Sequence, residues 1–193
     1  MIMKNKNQKV SVVIRAKNEE RWIGHTIQSI LDFISYPEII VIDNDSEDRT
    51  VEIAKHFQSD PELVTNRAYT QVRIFDIEGY TPGKAINYGA QQASSDYLLV
   101  ISGHCVLRQF NFDQHLNDLE DYVAIFGNQI PIWEGKKIKK RYLWTHFGHD
   151  KVVNMYSEME ERYFLHNGAC LYKKQTLIDN PFDENLTGKE DRY

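Results

Sequence analysis

No apolar run in this 193-residue sequence approaches 18 residues, so no segment reads as a membrane-spanning helix. Cysteine is scarce. Cys105 and Cys170 are too few for a disulfide framework and lack the paired spacing of a metal site. Two isolated thiols fit a reducing compartment. Positive charge is also short, with 23 Lys and Arg against 28 Asp and Glu, a net charge of -5. That balance argues against a nucleic-acid binder, whose phosphate contacts need a basic surface. The first ten residues are basic but lead into a short strand-like run, not a signal-peptide core. The expected location is therefore the cytoplasm.

Glycine is missing where two phosphate-binding loops would need it. A dinucleotide-binding loop requires Gly-x-Gly-x-x-Gly after the first strand, so that backbone can approach the pyrophosphate. The residues there, Arg15 to Glu20, contain no glycine. A P-loop needs four residues before its Gly-Lys and then Ser or Thr. Here three residues separate Gly79 from Gly83-Lys84, and Ala85 follows. Both nucleotide folds are excluded.

What is present is the composition of a globular protein, 41% hydrophobic and 12% aromatic, at a length that suits one domain. Strand-like runs fall at about residues 10–15, 39–43, 72–77 and 98–102, the second and fourth being continuously apolar. Between them lie helical patterns. In the first, Trp22, Ile23, Ile27, Ile30, Leu31 and Ile34 share a face, with Asn18 as the expected cap. In the second, Ser46 is the expected cap, and Val51, Ile53, Ala54 and Phe57 share a face. The third starts with Thr81 as cap and Pro82 at its first position. Three strand-helix repeats predict a mostly parallel, Rossmann-like sheet with helices on both faces. Ligands bind such sheets at the carboxyl ends of the strands. There Arg15 to Asn18, Asp43 to Asp45 and Ser102 to His104 should converge. After about Phe110 the alternation fades into a short helix near residues 112–120 and strands within 121–130 and 168–174.

Four stretches carry a resemblance: residues 10–31 (VSVVIRAKNEERWIGHTIQSIL), 39–54 (IIVIDNDSEDRTVEIA), 81–105 (TPGKAINYGAQQASSDYLLVISGHC) and 180–193 (NPFDENLTGKEDRY). In order and spacing the chain resembles a family 2 glycosyltransferase with the GT-A fold. The resemblance implies a single domain over residues 1–193, with a nucleotide-binding half at about 8–107 and an acceptor-side half at about 108–193. It implies a nucleotide-sugar donor, a divalent cation (Mn2+ or Mg2+), and transfer with inversion to a saccharide or lipid-linked acceptor. Cell-surface polysaccharide or glycoconjugate synthesis is the implied setting.

Such enzymes carry Asp-x-Asp at the end of the fourth strand, where this chain has Ser102-Gly103-His104. Two roles are open to His104. It replaces the metal-binding aspartate, since neutral imidazole is a good ligand, or it merely closes the strand in a site without metal. Gly103 would let backbone pass close to the ribose or phosphate. Cys105 is read as a small residue packed behind the site. Glu190-Asp191 matches the family's acidic pair, with Asp191 as the general base. Asp43 and Asn44 would receive the nucleoside, although the family often has Asp where Asn44 stands. Arg15 and Asn18 would contact nucleoside or diphosphate. Lys84 would meet a donor phosphate beside a helix N-terminus, or is simply solvated. Asn167 matches an acceptor-side position, with His166 packed beside it. Family members usually continue past the acidic pair, whereas two residues follow it here, which raises the expectation of a fragment or short variant. The basic run at residues 135–141, beside Tyr142, Trp144 and Phe147, is either a solvated face or the mark of an anionic, membrane-bound acceptor. The second implies peripheral attachment to the inner face of the membrane. A different class stays open: a non-catalytic GT-A domain that binds nucleotide or saccharide, or serves a partner subunit.

Overall fold

The computed structural model describes residues 10–58, 71–137, 151–157, 161–163 and 165–188. The acidic pair Glu190-Asp191 and most of the basic run at 135–141, with its aromatic neighbours, lie outside them. Strand β1 (Val10–Ala16) leads to helix α1 (Ile23–Phe33), β2 (Glu38–Asp43), α2 (Thr50–Lys55), β3 (Gln71–Asp76), α3 (Pro82–Gln92) and β4 (Tyr97–Ser102). The second half adds α4 (Phe112–Asp118), β5 (Ala124–Phe126), the small hairpins β6 (Ile132–Trp133) with β7 (Lys136–Lys137) and β8 (Tyr156–Ser157) with β9 (Arg162–Tyr163), then β10 (Ala169–Lys173) and α5 (Lys174–Asp179).

The main sheet runs β3-β2-β1-β4-β10-β5. Its first four strands are parallel, and β10 is antiparallel to both neighbours. Alternate side chains of each central strand supply two cores. Val12, Ile14, Ile39, Val41, Leu99 and Ile101 pack with Ile23, Ile27 and Ile30 of α1 and Ala54 of α2. Val13, Ile40, Ile42, Leu98 and Val100 pack with Ala85, Ile86 and Ala90 of α3. Both faces are thus covered, as the continuous apolar runs of β2 and β4 demand. β5 and β10, the two strands expected in the second half, join this same sheet. Among the described residues no helix is long and apolar enough to cross a membrane.

Two expected caps are corrected. α1 starts at Ile23, has Trp22 at its N-cap and receives no side-chain cap bond, so Asn18 caps nothing. Trp22 itself is 41% exposed instead of joining the apolar face. α2 starts at Thr50 with Arg49 at its N-cap, so Ser46 does not cap it. Both residues are drawn instead into pairing between the β1–α1 and β2–α2 loops. The Asn18 N–H donates to Ser46 Oγ at 2.9 Å, and Asn18 Oδ1 accepts from the Glu47 N–H at 2.9 Å. Thr81 does cap α3, its hydroxyl accepting from the Lys84 N–H at 3.2 Å.

Candidate active site

Strand order reverses between β1 and β4, the kind of position where α/β sheets take ligands outside the strand ends. In register, Arg15 lies in one row with Ile42 and Ser102, while Asp43 lies opposite Ala16, one residue beyond that row, so Asp43, Arg15 and Ser102 stand at the ends of three adjacent strands. Arg15 brackets the row. Its Nη2 donates to the Asn167 carbonyl at 3.0 Å and reaches Ser102 Oγ at 3.4 Å. Asn167 is buried just before β10, and its Oδ1 accepts from the Tyr172 hydroxyl at 2.5 Å. Beside it, His166 Nδ1 accepts from the Gly168 N–H at 3.1 Å and faces Gln129 Nε2 at 2.7 Å. Two donors on one nitrogen place the ring proton on Nε2.

The strand-end turn after β4 is held from behind. The Gly103 N–H donates to the Arg15 carbonyl at 2.8 Å, and the Gly103 carbonyl accepts from Thr26 Oγ1 at 2.8 Å. A Cβ at Gly103 would lie 3.2 Å from both the Arg15 carbonyl oxygen and Glu19 Cγ, and 3.3 Å from Ala16 Cβ. The space that glycine leaves is therefore filled by the end of β1 itself. Cys105 packs against the α1-side core, and burial pushes its thiol up to about 11, so it stays protonated at neutral pH. A protonated, buried thiol is a poor metal ligand.

His104 projects forward, its side chain 59% exposed. Its Nδ1 lies 2.7 Å from Glu19 Oε1. A carboxylate only accepts, so the contact assigns the proton to Nδ1 and leaves the Nε2 lone pair outward. That is the arrangement of a carboxylate-oriented histidine ligand. Among the described residues, no three His, Cys, Asp or Glu side chains gather as a metal cage. The described residues here thus offer one histidine nitrogen toward a cation and no second protein ligand.

The other expected residues are more committed to the protein. Asp43 is 5% exposed, and its two carboxylate oxygens accept from the Ser46 N–H at 2.8 Å and the Ser46 hydroxyl at 2.6 Å. The Asn44 backbone is tied to the β1 loop through Ala16 and Lys17. Asn18 is a loop fastener, as described above, with φ of 53°. Lys84 donates its ammonium to the Glu78 carbonyl and closes the turn between β3 and α3. Sequence reasoning passed over Glu19 and Gln129 as site residues. Glu19 stands 85 residues from His104, and no spacing signal links them.

This architecture can be set against known proteins. The glycosyl transferase family 2 model matches residues 11–180. Over 120 residues the chain is 26% identical to a Methanococcus voltae protein named dolichyl N-acetyl-alpha-D-glucosaminyl phosphate 3-beta-D-2,3-diacetamido-2,3-dideoxy-beta-D-glucuronosyltransferase, covering 60% of this chain and 34% of that protein. Among solved structures, S. aureus TarS 1-349 in complex with UDP-GlcNAc superposes with a TM-score of 0.65 at 19% identity, over 95% of this chain and 51% of TarS 1-349. The mannosyltransferase PcManGT from Pyrobaculum calidifontis, in complex with GDP-Man and Mn2+, gives a TM-score of 0.59 at 15% identity, over 95% of this chain and 50% of the other. The chain thus spans about a third of the curated relative and half of each solved neighbour. With the family model spanning most of its length and its sheet matching these structures, the chain belongs to glycosyl transferase family 2 and has the GT-A fold.

Proposed function

We propose that the chain binds a nucleotide-sugar donor and transfers its sugar, with inversion, to a saccharide or lipid-linked acceptor. The observation that carries this reading is the placement of Asp43, Arg15 and Ser102 at the ends of three adjacent parallel strands, with His104 held just beyond Ser102 by Glu19. The nucleotide sugars in the TarS and PcManGT complexes support the donor class, and the Methanococcus voltae name supports a lipid-linked acceptor.

Asp43 takes the nucleoside. A carboxylate has about four acceptor positions, so two bonds to Ser46 leave room for a ribose hydroxyl or base imide. Asn44 lies next to it. Asn18 acts through the loop it fastens, and Arg15 through the row it brackets. The diphosphate extends toward Ser102, Gly103 and His104, with Lys84 at the start of α3 as a further cationic group. A divalent cation (Mn2+ or Mg2+), when bound, supplies positive charge that offsets charge developing on the leaving diphosphate. His104 would hold it through Nε2. Asp191, with Glu190 beside it, takes the proton of the acceptor hydroxyl. As that oxygen bonds to the anomeric carbon, the bond to the diphosphate oxygen breaks. The basic residues at 135–141 support an anionic acceptor presented at the inner face of a membrane and reached from the cytoplasm.

Calorimetry with UDP and with GDP, each with and without Mn2+, tests the donor site. Absence of binding to either nucleotide would reject it. Ser102-Gly103-His104 in place of two acids favours a second reading, a GT-A domain that binds without catalysing. Nucleotide binding with no turnover of the matching sugar nucleotide would support that second reading.

A further inference from the structure

Three consecutive amides of the β1–α1 loop each end on a side chain of the β2–α2 segment. The Asn18 N–H donates to Ser46 Oγ at 2.9 Å, the Glu19 N–H to Thr50 Oγ1 at 2.6 Å and the Glu20 N–H to Asp48 Oδ2 at 3.0 Å. Asp48 holds the middle bond in place. Its Oδ1 accepts from the Thr50 N–H at 2.9 Å and from the Thr50 hydroxyl, which commits the hydroxyl proton and leaves the oxygen to accept from Glu19. Partial burial raises the Asp48 pKa, but the bonds from Thr50 and Glu20 outweigh it and leave the group below the ordinary 3.8. The carboxylate therefore stays ionised at neutral pH, an acceptor only. A local turn at the start of α2 accounts for the Asp48–Thr50 contact by itself. It does not account for the two bonds that leave α2 for Glu19 and Glu20.

The middle amide is the one that bears on the site. Glu19 is pinned on both sides, its N–H by Thr50 and its carbonyl by the Trp22 and Ile23 N–H groups at 2.8 Å each. From that fixed backbone its side chain, 18% exposed, passes the turn after β4 to reach His104 Nδ1. Gly103 leaves the passage, since a Cβ there would stand 3.2 Å from Glu19 Cγ. Thr50 is fully buried at the first position of α2. A buried hydroxyl, bonded on both sides, thus stands two contacts behind an exposed imidazole.

We propose that Thr50 and Asp48 are positioning residues, which hold Glu19 so that it keeps the His104 proton on Nδ1 and the Nε2 lone pair outward. The functional consequence rests on reading His104 as the cation ligand, and the test separates the two. Long-range 1H–15N NMR reads the ring tautomer at about pH 8.5, where an ordinary imidazole is neutral. Comparison with His104→Gln identifies the signals of His104. The parent should show Nδ1–H as the main form. Thr50→Val keeps the side-chain shape without the hydroxyl, and Asp48→Ala removes the carboxylate that orients it. Each should lower the Nδ1–H population roughly twofold or more. Thr50→Ser restores the hydroxyl and should match the parent. Mn2+ titrated in the presence of UDP should bind roughly fivefold more weakly to Thr50→Val and Asp48→Ala, and with parental affinity to Thr50→Ser. UDP affinity without Mn2+ should stay within about twofold in all three, because Asp43 and Ser46 keep their own bonds. Asp48 lies in a half-buried loop, so Asp48→Ala carries the test should Thr50→Val fail to fold. A parent that is already a tautomer mixture, a tautomer that Thr50→Val and Asp48→Ala leave unchanged, or UDP affinity lost as far as Mn2+ affinity would overturn the proposal. Variants that shift the tautomer while the parent itself binds no Mn2+ would remove the cation reading alone and leave the positioning result standing.

Discussion

Glu38 begins β2 and Asp43 ends it; both carboxylates are buried, yet their surroundings differ. Glu38, 7% exposed, accepts from Ser11 Oγ, from the Ser94 N–H at 2.8 Å and hydroxyl at 3.0 Å, and from Arg73 Nη2 at 2.6 Å. Burial raises its pKa, but the bonds from Ser11 and Ser94 and the charge of Arg73 outweigh that and leave it below the ordinary 4.5. Among the described residues, Asp43 receives two bonds, both from Ser46. Four donors saturate a carboxylate, whereas two leave half of its acceptor capacity. The saturated end of the strand closes the structure. The unsaturated end keeps acceptor positions for the nucleoside proposed above.

The largest effect is expected from breaking the closed end. Glu38→Ala removes the shared acceptor of Arg73, Ser11 and Ser94 and should cost about 2–4 kcal/mol, read as a lower denaturation midpoint with unchanged slope. The same carboxylate predicts a pH dependence. Its folded pKa lies below the unfolded one, so its stabilisation is complete well above pH 4.5 and drains as pH falls through the folded value. A midpoint-against-pH curve should show that acid loss in the parent and a shallower one in Glu38→Ala.

At the open end, Asp43→Ala should weaken UDP binding by about 1–3 kcal/mol, measured by calorimetry, while perturbing the fold less than Glu38→Ala. Equal affinity would place the nucleoside elsewhere. Further out, His104→Ala alters an exposed side chain, and stability should move by no more than about 0.5 kcal/mol. Its mark should be loss of the Mn2+ dependence of nucleotide binding. Glu19→Ala removes only the orienting carboxylate and should weaken Mn2+ roughly tenfold, by titration in the presence of UDP. Retained Mn2+ dependence in His104→Ala would make the histidine a structural group.

The sheet was legible because its signals are local and repeated. Apolar runs such as Leu98 to Ile101 and the Thr81-Pro82 helix start mean the same thing in most contexts. The caps at Asn18 and Ser46 were misread for the opposite reason. Each has a plausible local use, but the β1 and β2 ends lie side by side and bond to each other across 28 residues. The strand ends were visible as polar breaks, and Arg15, Asp43 and Ser102 do stand at the ends of three adjacent strands. Their partners were not. Glu19 and Gln129 meet His104 and His166 across 85 and 37 residues, and no periodicity encodes such distances.

One consequence concerns how the chain is made. β4 carries four consecutive core residues, yet its second neighbour, β10, begins only at Ala169. At about 5–20 residues per second, synthesis of the intervening stretch takes on the order of several seconds. During that interval β4 is a bare hydrophobic edge, open to pairing with another nascent chain. Ending translation before Lys173 would make this exposure permanent. Such truncated chains should aggregate or be held by chaperones, even though every parallel strand of the main sheet has already been synthesised.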